Sequence, residues 1–439
     1  MIKSHAEEGA HEAVWSEITT LARIAAGCWV GIPTAPAARG AEGRAQKFRL
    51  FSWKRRLKSV TETIRIVWNC SLMKILHVYK TYLPDDFTGV PRVIHTLAEN
   101  TGKYGVENEV FTLSNSPSAT PLKIGNHLVR QFKCEINISS SSLSVSSILY
   151  SKRIFDDADI INYHFPWPMG DLLYILRGMS KPSLVTYHSD IIRQKNLLRF
   201  YRPVMTRFLD GVDEIVATSP NYRDSSPILA RYKEKTSVIP IGLPERPAAV
   251  AEDVQRLRSM LGEGFLLFVG ALRYYKGLQF LVSAAEASRI PLVIAGGRQR
   301  GDIDVSTLPE NIRYIGEVSE AEKEALLTLC AGFVFPSHLR SEAFGISLAE
   351  AARAGKPMIS CEIGTGTSFI NKDGETGIVV PPGDVKALSE AMLAILADED
   401  MRARMGRCAE KRFQSLFRAD GMAADYLKIY QRLAGASRG

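Results

Sequence analysis

At 439 residues the chain exceeds what one core usually organises, so two domains are expected. Its 46% apolar content beside 23% charged residues is that of a soluble globular protein, and no run approaches the eighteen apolar residues of a spanning helix. The net charge of +8 is uneven: residues 1–72 carry eleven Lys/Arg against six Glu, which leaves only +3 for the rest.

Those 72 residues contain no Asp and no Tyr, yet hold four of the five tryptophans, and they lack a sustained helical or strand period. Segment 1–72 therefore reads as an N-terminal extension outside the fold, upstream of an expected native start at Met73. N-terminal sequencing of the native protein checks this. The competing reading is a targeting peptide, because the segment is Arg-rich and poor in acids. Arg23 interrupts its apolar patch and argues against a secretory signal.

From Met73 onward short apolar runs alternate with amphipathic ones. ILHVY (75–79), NEVFTL (108–113), DIINYH (159–164), SLVTYH (183–188), EIVATS (214–219) and TSVIPIG (236–242) read as strands. Segment 90–105 reads as a helix ended by Gly105, and 191–209 as another. The Ser-rich run 139–147 reads as a mobile loop or linker rather than a site. Pro240, Gly242, Pro244 and Pro247 mark a linker, after which the rhythm restarts. Further strands are FLLFVGA (265–271), PLVIAGG (291–297), IRYIG (312–316), GFVFPS (332–337), PMISC (357–361) and GIVVPP (377–382). This pattern predicts an α/β architecture of two facing, doubly wound Rossmann-like domains, 73–243 and 244–425, with a C-terminal helix or tail over 426–439. Ligands bind beyond the carboxyl ends of such strands, so an interdomain cleft is where two substrates would meet. The six cysteines show neither metal spacing nor a disulfide framework, which favours a reducing, cytoplasmic setting.

Several residues fall at those carboxyl ends. Gly89 follows the first strand and would let the backbone approach a ligand, or is a plain turn glycine. His164 and His188 each end a strand; a lone histidine is more often structural, but two at equivalent ends favour a role for at least one. Asp157-Ala158-Asp159 imitates a metal-holding D-x-D pair but precedes its strand, so these carboxylates read as solvated helix-end or turn groups rather than a metal site. In VGALRYYKGLQFL (269–281), Arg273 and Lys276 sit between Gly270 and Gly277 where a helix begins, in outline a diphosphate site. In SEAFGISLAE (341–350), Glu342 lies on a loop and Glu350 one to two helical turns later. Eight helical residues span about 12 Å, room for a diphosphate between a sugar at Glu342 and a ribose at Glu350. Backbone N–H groups around Phe344, Gly345 and Ile346 would face that diphosphate. A G-x-G-x-x-G dinucleotide fingerprint is absent.

These residues resemble glycosyltransferase family 4, of the GT-B fold. The match includes E-x7-E at Glu342 and Glu350, R-Y-Y-K-G at 273–277, V-I-P-I-G at 238–242 and G-I-V-V-P-P-G-D at 377–384, and covers about 73–430. HSDIIRQK (188–195) and ATSPNY (217–222) look most like bacterial mannosyl- or rhamnosyltransferases of surface polysaccharide. The resemblance implies transfer from a nucleotide diphosphate sugar, with retention and without a metal or other cofactor. GDP-sugars are favoured and UDP-sugars possible. It implies that Arg273 and Lys276 neutralise the leaving diphosphate, that His188 lies beside the donor sugar, and that Glu342 and Glu350 hold sugar and ribose. The acceptor, a glycan or lipid-linked oligosaccharide, would meet the first domain. The chain departs from the family at Thr88-Gly89-Val90-Pro91, where a second glycine and an acid are common, and at Ala271, where Arg is common. Two other readings are a GT-B nucleotide-sugar epimerase and a non-catalytic sugar-nucleotide-binding protein. The basic face Arg193, Lys195, Arg199, Arg202 and Arg207 fits peripheral contact with the inner face of a membrane, and equally a solvated surface or an acceptor-phosphate contact.

Overall fold

The computed structural model describes residues 73–138, 141–191, 195–297 and 307–436. The N-terminal extension, Arg193, Ser139, Ser140 and the side chains of Lys195 and Arg199 lie outside the described residues.

The first domain is built from β1 (Lys74–Val78), β2 (Glu107–Ser114), β3 (Leu122–Ile124), β4 (His127–Lys133), the hairpin strands β5 (Ile136–Ile138) and β6 (Ser141–Leu143), β7 (Ile160–Phe165), β8 (Ser183–Tyr187), β9 (Glu214–Ala217) and β10 (Thr236–Val238). Eight of these form one sheet in the order β10-β9-β8-β7-β1-β2-β4-β3, parallel except for β3 against β4. Every residue of β7 and β8 is buried, as strands covered on both faces must be. Helix α1 (Val90–Gly102) follows β1, and α2 (Lys195–Gly211) follows β8. On α2, Arg202 and Arg207 are exposed.

The second domain holds β11 (Leu266–Val269), β12 (Leu292–Ala295), β13 (Ile312–Tyr314), β14 (Gly332–Phe335), β15 (Met358–Cys361) and β16 (Gly377–Val380), all parallel, in the order β13-β12-β11-β14-β15-β16. Helices α3 (Leu278–Ala287), α4 (Glu320–Leu329) and α5 (Ile346–Arg353) connect them, and α6 (Glu399–Leu416) and α7 (Ala419–Ala436) close the chain. The expected two doubly wound domains are present.

Beyond β3 and β4, which the sequence reading did not assign, four differences bear on the architecture. Strand β10 stops at Val238, because Pro240 has no N–H to continue the ladder. Helix α1 ends at Gly102; Gly105, at φ 85°, finishes the turn after it. Part of the Ser-rich run is ordered: β5 and β6 pair, Trp167 Nε1 donates to Ser142 O at 2.9 Å, and Ser144 caps the helix Val145–Tyr150. The fourth difference concerns the domain boundary. Residue 425/426 falls inside α7, and the whole helix returns to the first domain. There Tyr430 Oη accepts from Asn162 Nδ2 at 3.3 Å, and Tyr426 Oη bonds Thr186 Oγ1 at 2.9 Å. The two crossing segments run side by side, Leu243 N donating to Phe417 O and Ala419 N to Leu243 O. A side chain on Gly242 would meet Arg418 O at 2.4 Å, so only glycine permits this crossing.

Candidate active site

Side chains beyond the carboxyl ends of the two sheets meet across one cleft, and Gly89, His188, Arg273, Lys276, Glu342 and Glu350 lie on its edges. In the second domain β11 leads into the loop holding Arg273 and the short turn Tyr274–Lys276. Gly277 then starts α3 at φ 72°, and a Cβ there would lie 2.1 Å from Pro336 O. Glycine is thus required both for the backbone angle and for the close approach of the β14 loop. That approach brings Lys276 against Glu342 in a short ion pair, each side chain only 12% exposed. The ammonium also sits over the Phe335 ring at 4.6 Å. Arg273 is exposed beside it. Gly345, at φ 96°, begins α5; no side chain caps that end or the start of α3. Their first-turn N–H groups therefore lack side-chain acceptors, the arrangement that suits an anion. Phe344 is buried against Phe417, and Ile346 is half-buried.

Glu350 is buried and already engaged. Its Oε1 meets Lys323 Nζ at 2.8 Å and, across the cleft, Arg92 Nη1 at 3.0 Å. Arg92 also reaches Glu320 at 3.1 Å. The sequence reading assigned Glu350 to a ligand and did not foresee these two cations. Arg92 had a signal, since it lies in the first turn after Gly89 and hence at the same sheet edge. Gly89 itself has φ 51° and nothing within 4 Å of where a Cβ would stand.

On the first domain's side His188 is 7% exposed. Its Nε2 lies 3.0 Å from His164 Nδ1, and His164 Nε2 lies 3.1 Å from His77 Nδ1. Burial pushes His188 down to about 3 and His77 to about 4, the latter partly opposed by its bond to Asn108; His164 is also well below its ordinary value. All three are neutral near pH 7. Lys80, two residues beyond β1, is a cation that the sequence reading missed, although it too follows a strand's carboxyl end. Burial lowers its pKa, Asp86 opposes this, and the charge of Arg273 from the other domain lowers it further. Arg340, also missed, crosses the cleft to Ser225 Oγ at 2.9 Å and Asp190 Oδ2 at 3.4 Å.

Asp157 and Asp159 lie at the amino edge, where Lys74 N donates to Asp159 Oδ2 at 2.8 Å, well away from the cleft. Among the described residues His95, Glu99 and His127 could offer a metal three ligand atoms within 4.8 Å of one another. Two of the three already bond within the protein: Glu99 Oε1 accepts from Asn126 N and pairs with His127 Nδ1 at 2.8 Å, and Tyr82 Oη meets His127 Nε2 at 2.9 Å, whereas the buried His95 Nδ1 has no hydrogen-bond partner among the described residues. The network ties β4 to α1.

The family model Glycosyltransferase Family 4 matches residues 87–245, and Glycosyl transferases group 1 matches 250–412. The chain is 46% identical over 353 residues to D-rhamnosyltransferase WbpZ of Pseudomonas aeruginosa, covering 79% of this chain and 93% of that one. It is 45% identical over 371 residues to O-antigen chain mannosyltransferase C of Escherichia coli, covering 82% and 99%. Among solved structures it is similar to sucrose-phosphate synthase of Thermosynechococcus elongatus, with a TM-score of 0.66 at 20% identity over 83% of this chain and all of that one. It is also similar to Anabaena HepE solved with UDP and glucose, with a TM-score of 0.64 at 17% identity over 81% and 99%.

Proposed function

The chain belongs to glycosyltransferase family 4 and is a glycosyltransferase of GT-B fold, and from that premise we propose that it moves mannose or a related hexose from a GDP-sugar to a growing, lipid-linked surface glycan. The observation that carries the reading is the Lys276–Glu342 pair between two uncapped helix ends at the carboxyl edge of the second sheet. Arg273, Lys276 and the amides near Phe344, Gly345 and Ile346 meet the developing charge of the leaving diphosphate, without a metal. Stabilising charge that appears only in the transition state is what raises turnover. Glu342 accepts hydrogen bonds from sugar hydroxyls. With Glu350 Oε1 committed to Arg92 and Lys323, Oε2 is the oxygen left for the ribose diol. His188 accepts from a substrate hydroxyl, and Gly89 lets the first-domain loop close on the phosphates. The acceptor hydroxyl attacks the face from which the diphosphate departs, and the diphosphate takes its proton, so configuration is retained. The lipid-linked acceptor draws the enzyme to the inner face of the cell membrane; among the described residues no helix is long and apolar enough to cross it.

Thermal shift with GDP, UDP and their sugars tests the donor, and product anomers read by NMR test retention. GDP should stabilise most, transfer should need acceptor lipid, and chelator should leave the rate unchanged. Epimerised donor formed without acceptor would overturn the reading in favour of an epimerase; binding without turnover would favour a non-catalytic protein.

A further inference from the structure

Asn108, His77, His164 and His188 form one diagonal across four neighbouring strand positions. Asn108 of β2 pairs with Ile75, and His77 lies two residues further along β1. His77 pairs with Asn162, and His164 lies two further along β7. His164 pairs with Thr186, and His188 lies two beyond it, its N–H continuing the ladder to Phe165 O. Each step moves one strand sideways and an even number of residues forward, so all four side chains share one face. A step of about 4.8 Å across and about 6.6 Å along is a span that two imidazoles bridge.

The direction of every proton in this row follows from its buried end. Asn108 Nδ2 lies 3.1 Å from Ala98 O and 3.3 Å from Val106 O. Carbonyl oxygens only accept, so that atom is the amide nitrogen and Oδ1 is the atom facing His77. His77 Nε2, 3.1 Å from Oδ1, must then carry a proton. A neutral imidazole has one N–H, so His77 Nδ1 accepts and His164 Nε2 donates. By the same step His164 Nδ1 accepts and His188 Nε2 donates, which leaves the His188 lone pair on Nδ1.

We infer that Asn108, His77 and His164 are positioning residues that hold His188 in the Nε2–H tautomer, so that its Nδ1 meets a substrate hydroxyl only as an acceptor. This rests on the role given to His188 above. Burial of the row keeps each ring neutral, and a neutral row with an amide at its end has one proton arrangement rather than two. The analogous device in metal sites, a carbonyl or carboxylate fixing the far nitrogen of a ligand histidine, costs about ten- to a hundredfold when removed.

The test uses the full chain with 15N-labelled histidine. Long-range proton–nitrogen NMR should show His77, His164 and His188 neutral, each with its proton on Nε2. His164→Gln keeps one donor and one acceptor at that position; it should keep the His188 tautomer and most of kcat. His164→Leu should lose the single tautomer at His188 and roughly ten- to a hundredfold of kcat, with donor KM little changed. A wild-type His188 protonated on Nδ1 would overturn the inference alone. So would equal kcat for His164→Gln and His164→Leu with both folded by circular dichroism. An active His188→Ala would instead overturn the role assigned to His188, and this inference with it.

Discussion

Lys276 and Glu342, on neighbouring loops, neutralise each other, and Glu350 sits apart with Arg92 and Lys323, so substitutions at Glu342 should separate cleanly from those at Glu350. Glu342→Gln removes a charge that faces sugar and keeps the shape. It should lower kcat about a hundredfold while GDP affinity, measured by calorimetry, changes little. Glu350→Ala would strand Arg92 and Lys323 beside a cavity, a change that costs about 3–5 kcal/mol for a buried pair, and would confuse binding with stability. Glu350→Gln is the better probe and should weaken GDP about tenfold, or ~1.4 kcal/mol, with kcat at saturation nearly intact. Arg273→Ala should depress turnover by about a hundredfold or more, since it removes an exposed cation that has no ion-pair partner among the described residues. The histidine row makes a second residue-scale prediction. Folded His77 and His188 titrate near 4 and 3, below the ordinary 6.5. Above 6.5 neither state is protonated there and the row costs nothing. As pH falls below 6.5 the unfolded chain takes up protons first, at about 1.4 kcal/mol per pH unit for each histidine kept neutral, until the folded rings titrate. Melting temperature should therefore fall steeply between pH 6.5 and 4.5, and less steeply in His164→Gln.

The elements that build the cleft were legible because each repeats one physical pattern: a buried apolar run, then glycine or a polar loop, then an amphipathic helix. That pattern placed Arg273, Lys276, Glu342 and His188 at carboxyl edges from sequence alone. It missed β4, whose sequence HLVRQFK mixes cations into the run and exposes Leu128, and the β5–β6 hairpin, whose serines pair in a ladder held by Trp167 instead of looping freely. It could not give Arg92–Glu350 or Arg340–Asp190, since pairs 258 and 150 positions apart are set by how two domains meet. The loop before α3 carries the clearest element-scale test. Gly277→Ala puts a Cβ into Pro336 O at an unfavourable φ. Backbone strain of this kind costs about 1–3 kcal/mol; here it would push the Lys276 loop off the Glu342 loop. Denaturant midpoint and GDP affinity should both fall, whereas Gly374→Ala, at φ 70° with nothing within 4 Å, should lower the midpoint alone.

At the scale of the whole molecule the return of α7 decides how the domains behave together. One continuous apolar cluster runs from Met73, Ile75 and Leu184 through Ile241 and Leu243 to Leu327 and Phe333, and includes Tyr426, Tyr430 and Leu433 of α7. The first domain's core is therefore completed by the chain's last helix, made after the second domain. The expected boundary at 425/426 cuts through this helix, and the sequence does not reveal its return because α7 has the ordinary period of a helix in either domain. The arrangement predicts coupled unfolding. Full chain should melt in calorimetry as one transition, because the first domain cannot lose its core without releasing α7 from both crossing segments. Tyr430→Ala, which leaves Asn162 without its hydroxyl and opens a fully buried cavity, should cost about 3–5 kcal/mol and lower that single transition. A chain ending at Arg418 keeps the second sheet complete but strips α1 and β7 of their cover. It should melt in two resolved steps, the earlier one belonging to the first domain and unmoved by GDP, the later one still raised by it. A truncated chain that kept one transition at the original temperature would mean that the first domain holds its core without α7.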